Sequence, residues 1–341
     1  MINQVYRLVS PRQFEVTYQD FSLKTDMIVV RPTHLSICNA DQRYYTGSRG
    51  KEAMAKKLPM ALIHEGIGMV VYDPKGEFAN GTKVVMVPND PTEKDPFIAE
   101  NYLRTSRFRS SGYDGFMQDY VFLKRDRLVE IPEDMNPFVA AFTELITIAM
   151  HSITRFESRS HKRRNTFGVW GDGNLGFIMS LILKKKYPES KVISFGKTQY
   201  KLDRFSFVDE TYLIDDIPES VEIDHAFECV GGLGSQYAIN QSIDIIVPEG
   251  SISILGVSEY PVEVNTRMVL EKGITMIGSS RSGRIDFQNT VNLYKEYPDI
   301  VDYFSTLIGE VQTVTSIQSI IEAFEKDLTS SWGKTIMEWK I

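Results

Sequence analysis

The sequence predicts an α/β protein with a doubly wound parallel sheet in its second half and a small, barrel-like β domain in its first. Three observations predict it. Between Asn165 and Gly278, strand-length apolar runs alternate with helical stretches, the texture of a parallel sheet covered by helices on both faces. A glycine-rich turn, Gly171 to Gly176, separates the first of those runs from the helix that follows. Before Asn136, short apolar runs are divided by Gly, Pro, Asn and Asp clusters, as in all-β folds. At 341 residues, 42% hydrophobic and 24% charged, the chain is long enough for two domains with separate cores.

In chain order, the runs 26–31, 68–72 and 83–87 read as strands, and Asn80-Gly81 supplies a turn just before the third because both residues tolerate positive φ. From Asn136, PFVAAFTELITIAMHSITRF has a long apolar repeat with a proline near its start, which predicts one buried helix. The alternating region gives strands at 166–170, 191–195, 222–229, 250–255 and 273–277, with a helix over 177–186. Helices over 286–297 and 316–328 and a strand over 333–340 complete the chain. Repeats and low-complexity segments are not seen.

The run Phe167-Gly168-Val169-Trp170 leads directly into Gly171-Asp172-Gly173-Asn174-Leu175-Gly176 and then a helix. Three glycines at this spacing allow a tight turn, close approach of backbone to a pyrophosphate, and close packing of helix on strand, while the helix N-terminus offers its amides to the anion. A structural glycine turn is the bland alternative; the flanking strand and helix favour dinucleotide binding. The next strand ends at Gly196, where an NAD site would place an acid for the ribose 2′-hydroxyl. Gly196, Lys197, Thr198, Gln199, Tyr200 and Lys201 stand there instead, with Arg204 beyond, so a 2′-phosphate meets cations and NADP(H) is the expected cofactor. Replacing Gly196 by Asp is expected to move the preference toward NAD.

The segment Pro59 to Gly68 reads PMALIHEGIG, and its His64-Glu65 pair follows Cys38 by 26 residues. A thiolate, an imidazole and a carboxylate are what a catalytic zinc takes when a fourth position stays open. A lone cysteine is more often a small buried hydrophobe, so Cys38 is judged by this context. Glu144 lies inside the apolar helix, where a carboxylate is costly unless paired or metal-bound; a helix-face glutamate reaching solvent is the other reading.

Net charge is −7, from 38 Lys and Arg against 45 Asp and Glu, and without a basic stripe nucleic acid is excluded as a partner. Cys38 and Cys229 stand 191 positions apart and form no disulfide framework. The N-terminus has no basic-then-apolar leader, and no stretch reaches about 18 consecutive apolar residues. A cytoplasmic protein that does not engage membranes is expected.

The segments 36–47, His64 to Gly68, Gly81 to Val84, Gly112 to Phe116, Glu144 to Ser152 and the Gly171 loop occur in the order seen in zinc-dependent medium-chain dehydrogenases, which the chain resembles over essentially its whole length. Within their polyol dehydrogenase branch it is most similar to ribitol-5-phosphate dehydrogenases, the ribulose-5-phosphate reductases of teichoic acid precursor synthesis. The resemblance implies a GroES-like catalytic domain over 1–150, a Rossmann cofactor domain over 151–284, and a segment over 285–341 returning to the catalytic domain. It implies Cys38 and His64 as zinc ligands, with Glu65 and Glu144 exchanging as the third, and Asp41 as the partner that orients a ligand. The implied reaction is NADPH-linked reduction of D-ribulose 5-phosphate to D-ribitol 5-phosphate, supplying CDP-ribitol, with a homodimer and a cytidylyltransferase as implied partners. The segment 251–255 is placed where relatives extend a sheet across a dimer.

Two departures from the family pattern carry consequences. The stretch 89–112 has no cysteine, so one catalytic zinc and no structural zinc are expected. Ala40 stands where many relatives place a hydroxyl two residues after the ligand cysteine, which removes the usual proton relay. A substrate phosphate calls for a cationic pocket, for which Arg104, Arg107 and Arg109, with Arg43, Arg49, Arg281 and Arg284, are the candidates. Cys229 reads as packing against the cofactor region. An unphosphorylated polyol substrate and a non-enzymatic nucleotide-binding protein are the competing functions.

Overall fold

The computed structural model describes residues 2–23 and 26–341, and the chain divides into two units. The first joins Met1–Leu145 to Ser282–Ile341, and the second is Ile146–Arg281.

In the first unit, Ile2–Ser10 and Gln13–Asp20 form an antiparallel hairpin, with Met60–Ala61 on the other side of the first strand. A larger sheet runs in the order Leu128–Glu130, Lys83–Met86, Glu65–Tyr72, Ile28–Ser36, Lys334–Trp339, Ile308–Val314, and Val121–Leu123 also pairs with Ile28–Ser36. Its core includes Val30, Leu35, Met86, Phe116, Phe324 and Met337, all fully buried, and burial of such apolar surface is the main favourable term in folding. Register places the site: Ser36 pairs with Glu65 on one side and with Ile336 on the other. The ends of three strands distant in sequence therefore converge just before Cys38.

This region departs from the all-β texture read in the sequence. Helices Asn39–Tyr45 and Lys51–Lys57 interrupt it. The first starts because the Asp41 carboxylate turns back to accept the Cys38 amide at 3.3 Å, satisfying a donor that a helix N-terminus leaves open. The helix read over 137–156 is two helices, Pro137–Ala141 and Thr143–Glu157, because Phe142 at φ −104° and ψ 24° leaves the helical range.

The second unit is a six-stranded parallel sheet in the order Glu210–Leu213, Lys191–Gly196, Thr166–Trp170, Ile223–Glu228, Ile246–Ile254, Thr275–Gly278. The chain begins in the middle, steps outward one way, then returns and steps outward the other way, which is the doubly wound dinucleotide fold. Ile223–Glu228 is buried along its whole length, as expected of a strand covered on both faces. Trp170 is fully buried and stacks on Phe195 at 4.2 Å. The segment 251–255 is not an edge: Ser251–Ile254 pair with strands on both sides, and Thr275–Gly278 ends the sheet. Among the described residues, no helix is long and apolar enough to cross a membrane.

Candidate active site

Cys38, His64 and Glu65 each present a ligand atom, and the three atoms lie within 4.8 Å of one another. They meet because Cys38 follows the end of one sheet strand and Glu65 opens the neighbouring one. The approach to His64 is strained, since Ile63 has φ +71°, a left-handed conformation rarely taken by a β-branched residue. Phe116 donates its amide to the Ile63 carbonyl at 2.7 Å and Gly115 to Ala61 at 2.7 Å, and a Cβ at Gly115 would strike the Leu62 and Ile63 carbonyls. A side chain there would push this loop out of place.

Asp41 is fully buried. One of its oxygens accepts the Ile63 amide at 3.0 Å and the Ser110 hydroxyl at 2.6 Å, while the other lies 3.5 Å from His64 Nδ1. Burial opposes an imidazolium at His64, but the nearby charge of Asp41, together with Cys38, raises its pKa well above the ordinary value. Burial likewise opposes the Asp41 carboxylate, and His64 outweighs it and lowers that pKa. Asp41 thus fixes the imidazole and increases its basicity.

Glu65 is fully buried, and its Oε1 accepts a 2.9 Å bond from the ammonium of Lys334, itself 4% exposed. Lys334 also donates to the Ile37 carbonyl at 2.7 Å. Glu65 Oε2 is buried without a hydrogen-bond partner among the described residues. Burial raises the Glu144 carboxyl to about 7, helped by the charge of Glu65 and opposed by His64 and Lys334. Glu144 therefore feels the cluster's charges without joining its three close donors. Lys334 is not legible in the sequence, because a lysine near the end of the chain reads as a surface residue.

In the second unit, Gly171 has φ +132°, and a Cβ there would sit 3.0 Å from the Cys229 carbonyl oxygen. A Cβ at Gly173 would meet nothing within 4 Å, leaving room for a ligand, whereas one at Gly176 would collide with the Gly171 carbonyl. Asn174 and Leu175 open the helix Asn174–Lys186, so the first amides of that helix face the loop. Burial, with Glu228 alongside, pushes the Cys229 thiol well up, which makes it a poor metal ligand.

Gly196 ends its strand beside Asp172, whose Oδ2 accepts the amides of Lys197 and Thr198 at 2.8 Å each. A Cβ at Gly196 would lie 2.6 Å from Asp172 Cβ. The Gly196→Asp substitution expected from sequence to shift cofactor preference therefore disrupts Asp172 as well, and by itself does not test the assignment. Lys197 is exposed and Lys201 half-buried. Glu228 is a second residue that the sequence conceals: its carboxylate is buried and accepts from the Val230, Gly231 and Gly256 amides and the Ser235 hydroxyl at 2.8–3.0 Å, shaping the loops after two neighbouring strands.

Of the arginines considered for a substrate phosphate, Arg109 is committed to the Asp114 and Phe122 carbonyls at 3.2 and 2.8 Å. Arg104 and Arg107 are exposed. Arg49 lies over the Tyr44 ring at 4.7 Å.

A doubly wound nucleotide fold joined to a β unit that gathers a thiol, an imidazole and a carboxylate defines a class of metal-dependent dehydrogenases. Family models agree: residues 24–133 match the alcohol dehydrogenase GroES-like domain and residues 203–296 match the zinc-binding dehydrogenase. The chain belongs to the zinc-binding alcohol dehydrogenase family and is an oxidoreductase. It is 70% identical to the ribulose-5-phosphate reductase of Bacillus spizizenii over 341 residues, covering 100% of both chains. It is 62% identical to ribulose-5-phosphate reductase 1 of Staphylococcus aureus, covering 99% of each. Among solved structures, S. aureus TarJ in complex with NADPH matches with a TM-score of 0.90 and 56% identity over 100% of both chains.

Proposed function

We propose that the chain reduces D-ribulose 5-phosphate to D-ribitol 5-phosphate with NADPH, using one zinc ion held by Cys38, His64 and Glu65. The single observation that carries the substrate is the 70% identity, end to end, with a ribulose-5-phosphate reductase. The donor set fits the metal: sulfur, nitrogen and oxygen atoms converge within 4.8 Å, and a buried carboxylate oxygen of Glu65 has no hydrogen-bond partner among the described residues, as a cation ligand would. The Gly171 loop fits the pyrophosphate, and the loop 196–201, with Lys197 and Lys201, fits a 2′-phosphate. When bound, zinc supplies a Lewis acid for the ketone oxygen and NADPH supplies the hydride.

The chain's own residues do the rest. Asp41 holds the His64 ring in orientation, and Lys334 holds one Glu65 oxygen so that the other would remain available to a metal ion. Reduction of a ketone consumes a proton at oxygen, and Ala40 has no hydroxyl to relay one. Glu144, raised to about 7, retains a proton near neutrality and supplies it. The product is suited to a cytidylyltransferase that forms CDP-ribitol.

The test is NADPH consumption by purified protein with ribulose 5-phosphate, beside ribulose, fructose and xylulose 5-phosphate, together with metal analysis. Turnover of ribulose 5-phosphate in preference to the others, with one zinc per chain, supports the reading. Preference for an unphosphorylated ketose overturns the substrate, and absence of zinc in active protein overturns the metal.

A further inference from the structure

Residues 108–113 form a tight turn in which successive side chains face different parts of the first unit. Phe108 lies 5.3 Å from the His64 ring. Ser110, held at φ +58°, gives its hydroxyl to Asp41. Ser111, the next residue, receives a 3.2 Å bond from the Lys57 ammonium. Lys57 also donates to the Tyr44 hydroxyl at 2.9 Å. Tyr44 lies one helical turn after Asp41, on the same side of the helix Asn39–Tyr45. The Lys57 ammonium is therefore anchored, through Ser111 on one side and Tyr44 on the other, to the two segments that hold the Asp41–His64 pair.

The chemistry around this ammonium is that of an anion site. Both hydrogen-bond partners of Lys57 are neutral hydroxyls, and no carboxylate pairs with it among the described residues. A second cation, the Arg49 guanidinium, covers the same tyrosine ring at 4.7 Å, with Lys57 Nζ 5.6 Å from its centroid. Tyr44 is 1% exposed, whereas Lys57 and Ser111 are half-buried and so within reach of a ligand. A phosphate monoester suits an ammonium and a hydroxyl arranged this way.

Resting on the reading of the substrate as a ketose phosphate, we propose that Lys57, with Ser111, forms the subsite that binds the substrate's phosphate. Lysine here acts as a point charge fixed by two hydroxyls. The carbonyl end of the sugar then lies toward Cys38, His64 and Glu65, with the Ser110–Ser111 step linking the two ends of the site.

The experiment measures reduction of ribulose 5-phosphate and ribulose by wild-type, Lys57→Met, Lys57→Arg and Ser111→Ala proteins, with inorganic phosphate as a competing anion. Lys57→Met is expected to raise KM for the phosphorylated ketose about ten- to a hundred-fold, the loss of a charge-assisted hydrogen bond. Turnover should fall much less, KM for NADPH and zinc content should be retained, and inhibition by inorganic phosphate should disappear. Lys57→Arg should restore most of the affinity, and Ser111→Ala should show a smaller rise in KM. An unchanged KM in Lys57→Met, or an equal loss toward ribulose, overturns the subsite while leaving the proposed reaction intact. A wild-type protein that does not reduce ribulose 5-phosphate overturns the reaction first and the subsite with it.

Discussion

The donor cluster of the first unit and the glycine loop of the second are built in opposite ways. The cluster consists of side chains from distant points in the chain, with Cys38, Asp41, His64, Glu65 and Lys334 brought together by strand register. The loop consists of backbone from six consecutive residues, and what matters there is the absence of side chains at Gly171, Gly173 and Gly176. The first should fail when atoms are removed. The second should fail when atoms are added.

The largest effect is expected at the cluster. Cys38→Ala should abolish zinc retention and lower turnover roughly a thousand-fold or more, since a Lewis acid contributes several kcal/mol to such a step, while NADPH binding, followed by fluorescence, persists. Loss of both together would break the contrast between the units. Lys334→Met leaves the Glu65 charge buried and unpaired, and removing one member of such a pair costs about 3–5 kcal/mol. Chemical denaturation checks this, and a Lys334→Met, Glu65→Gln double variant should recover much of the loss.

Adding one methyl group in the loop should come next. Gly176→Ala drives a Cβ into the Gly171 carbonyl, and such overpacking costs about 1–3 kcal/mol, read as a rise in KM for NADPH with zinc content unchanged. Glu144 gives a pH test in the metal-free protein. Its folded pKa of about 7 lies above the ordinary glutamate value of 4.5, so its contribution to stability is complete below that ordinary value and is lost as pH rises through about 7. The melting temperature should fall over that window, and more steeply in wild type than in Glu144→Gln; parallel curves would show that Glu144 does not titrate there. The smallest effect belongs to Lys197→Ala, a few-fold loss of NADPH affinity with none for NADH, as for an exposed cation.

The same contrast explains what the sequence made legible. The Gly171 loop, its flanking strand and its helix are contiguous, so their spacing reports their geometry, and the parallel sheet follows from alternation. Cys38, His64 and Glu65 were visible as residue types that metals prefer. Lys334 was not, because its partner Glu65 lies 269 positions away and nothing local distinguishes a buried lysine from a solvated one. Lys57 is concealed for a related reason: the stretch without cysteines offers arginines that look suited to a phosphate, whereas Arg109 there is tied up by carbonyl oxygens. The short helices Asn39–Tyr45 and Lys51–Lys57 carry too few turns to show a period. The hairpin Ile2–Ser10 and Gln13–Asp20 was hidden by a polar residue in its core, since fully buried Asn3 bonds Gln118 at 3.1 Å and Tyr120 at 2.9 Å.

The stretch without cysteines is held by a different device. Arg127, 3% exposed, donates to the Asn89 carbonyl at 3.0 Å and to Glu100 at 2.8 Å, and Glu100 also accepts the Arg284 amide at 2.7 Å. Glu100 therefore ties this lobe, through an ion pair and a backbone bond, to the helix Arg284–Glu296.

The crowding of Gly196 against Asp172 bears on how such an enzyme can change over generations. Acquiring an acid at position 196 while Asp172 remains would force two carboxylates into one space and dislodge the following loop. Losing Asp172 first would release the Lys197 and Thr198 amides before anything replaced their acceptor. Either single change disturbs the loop that follows the strand, so an exchange of cofactor preference at this site involves both positions.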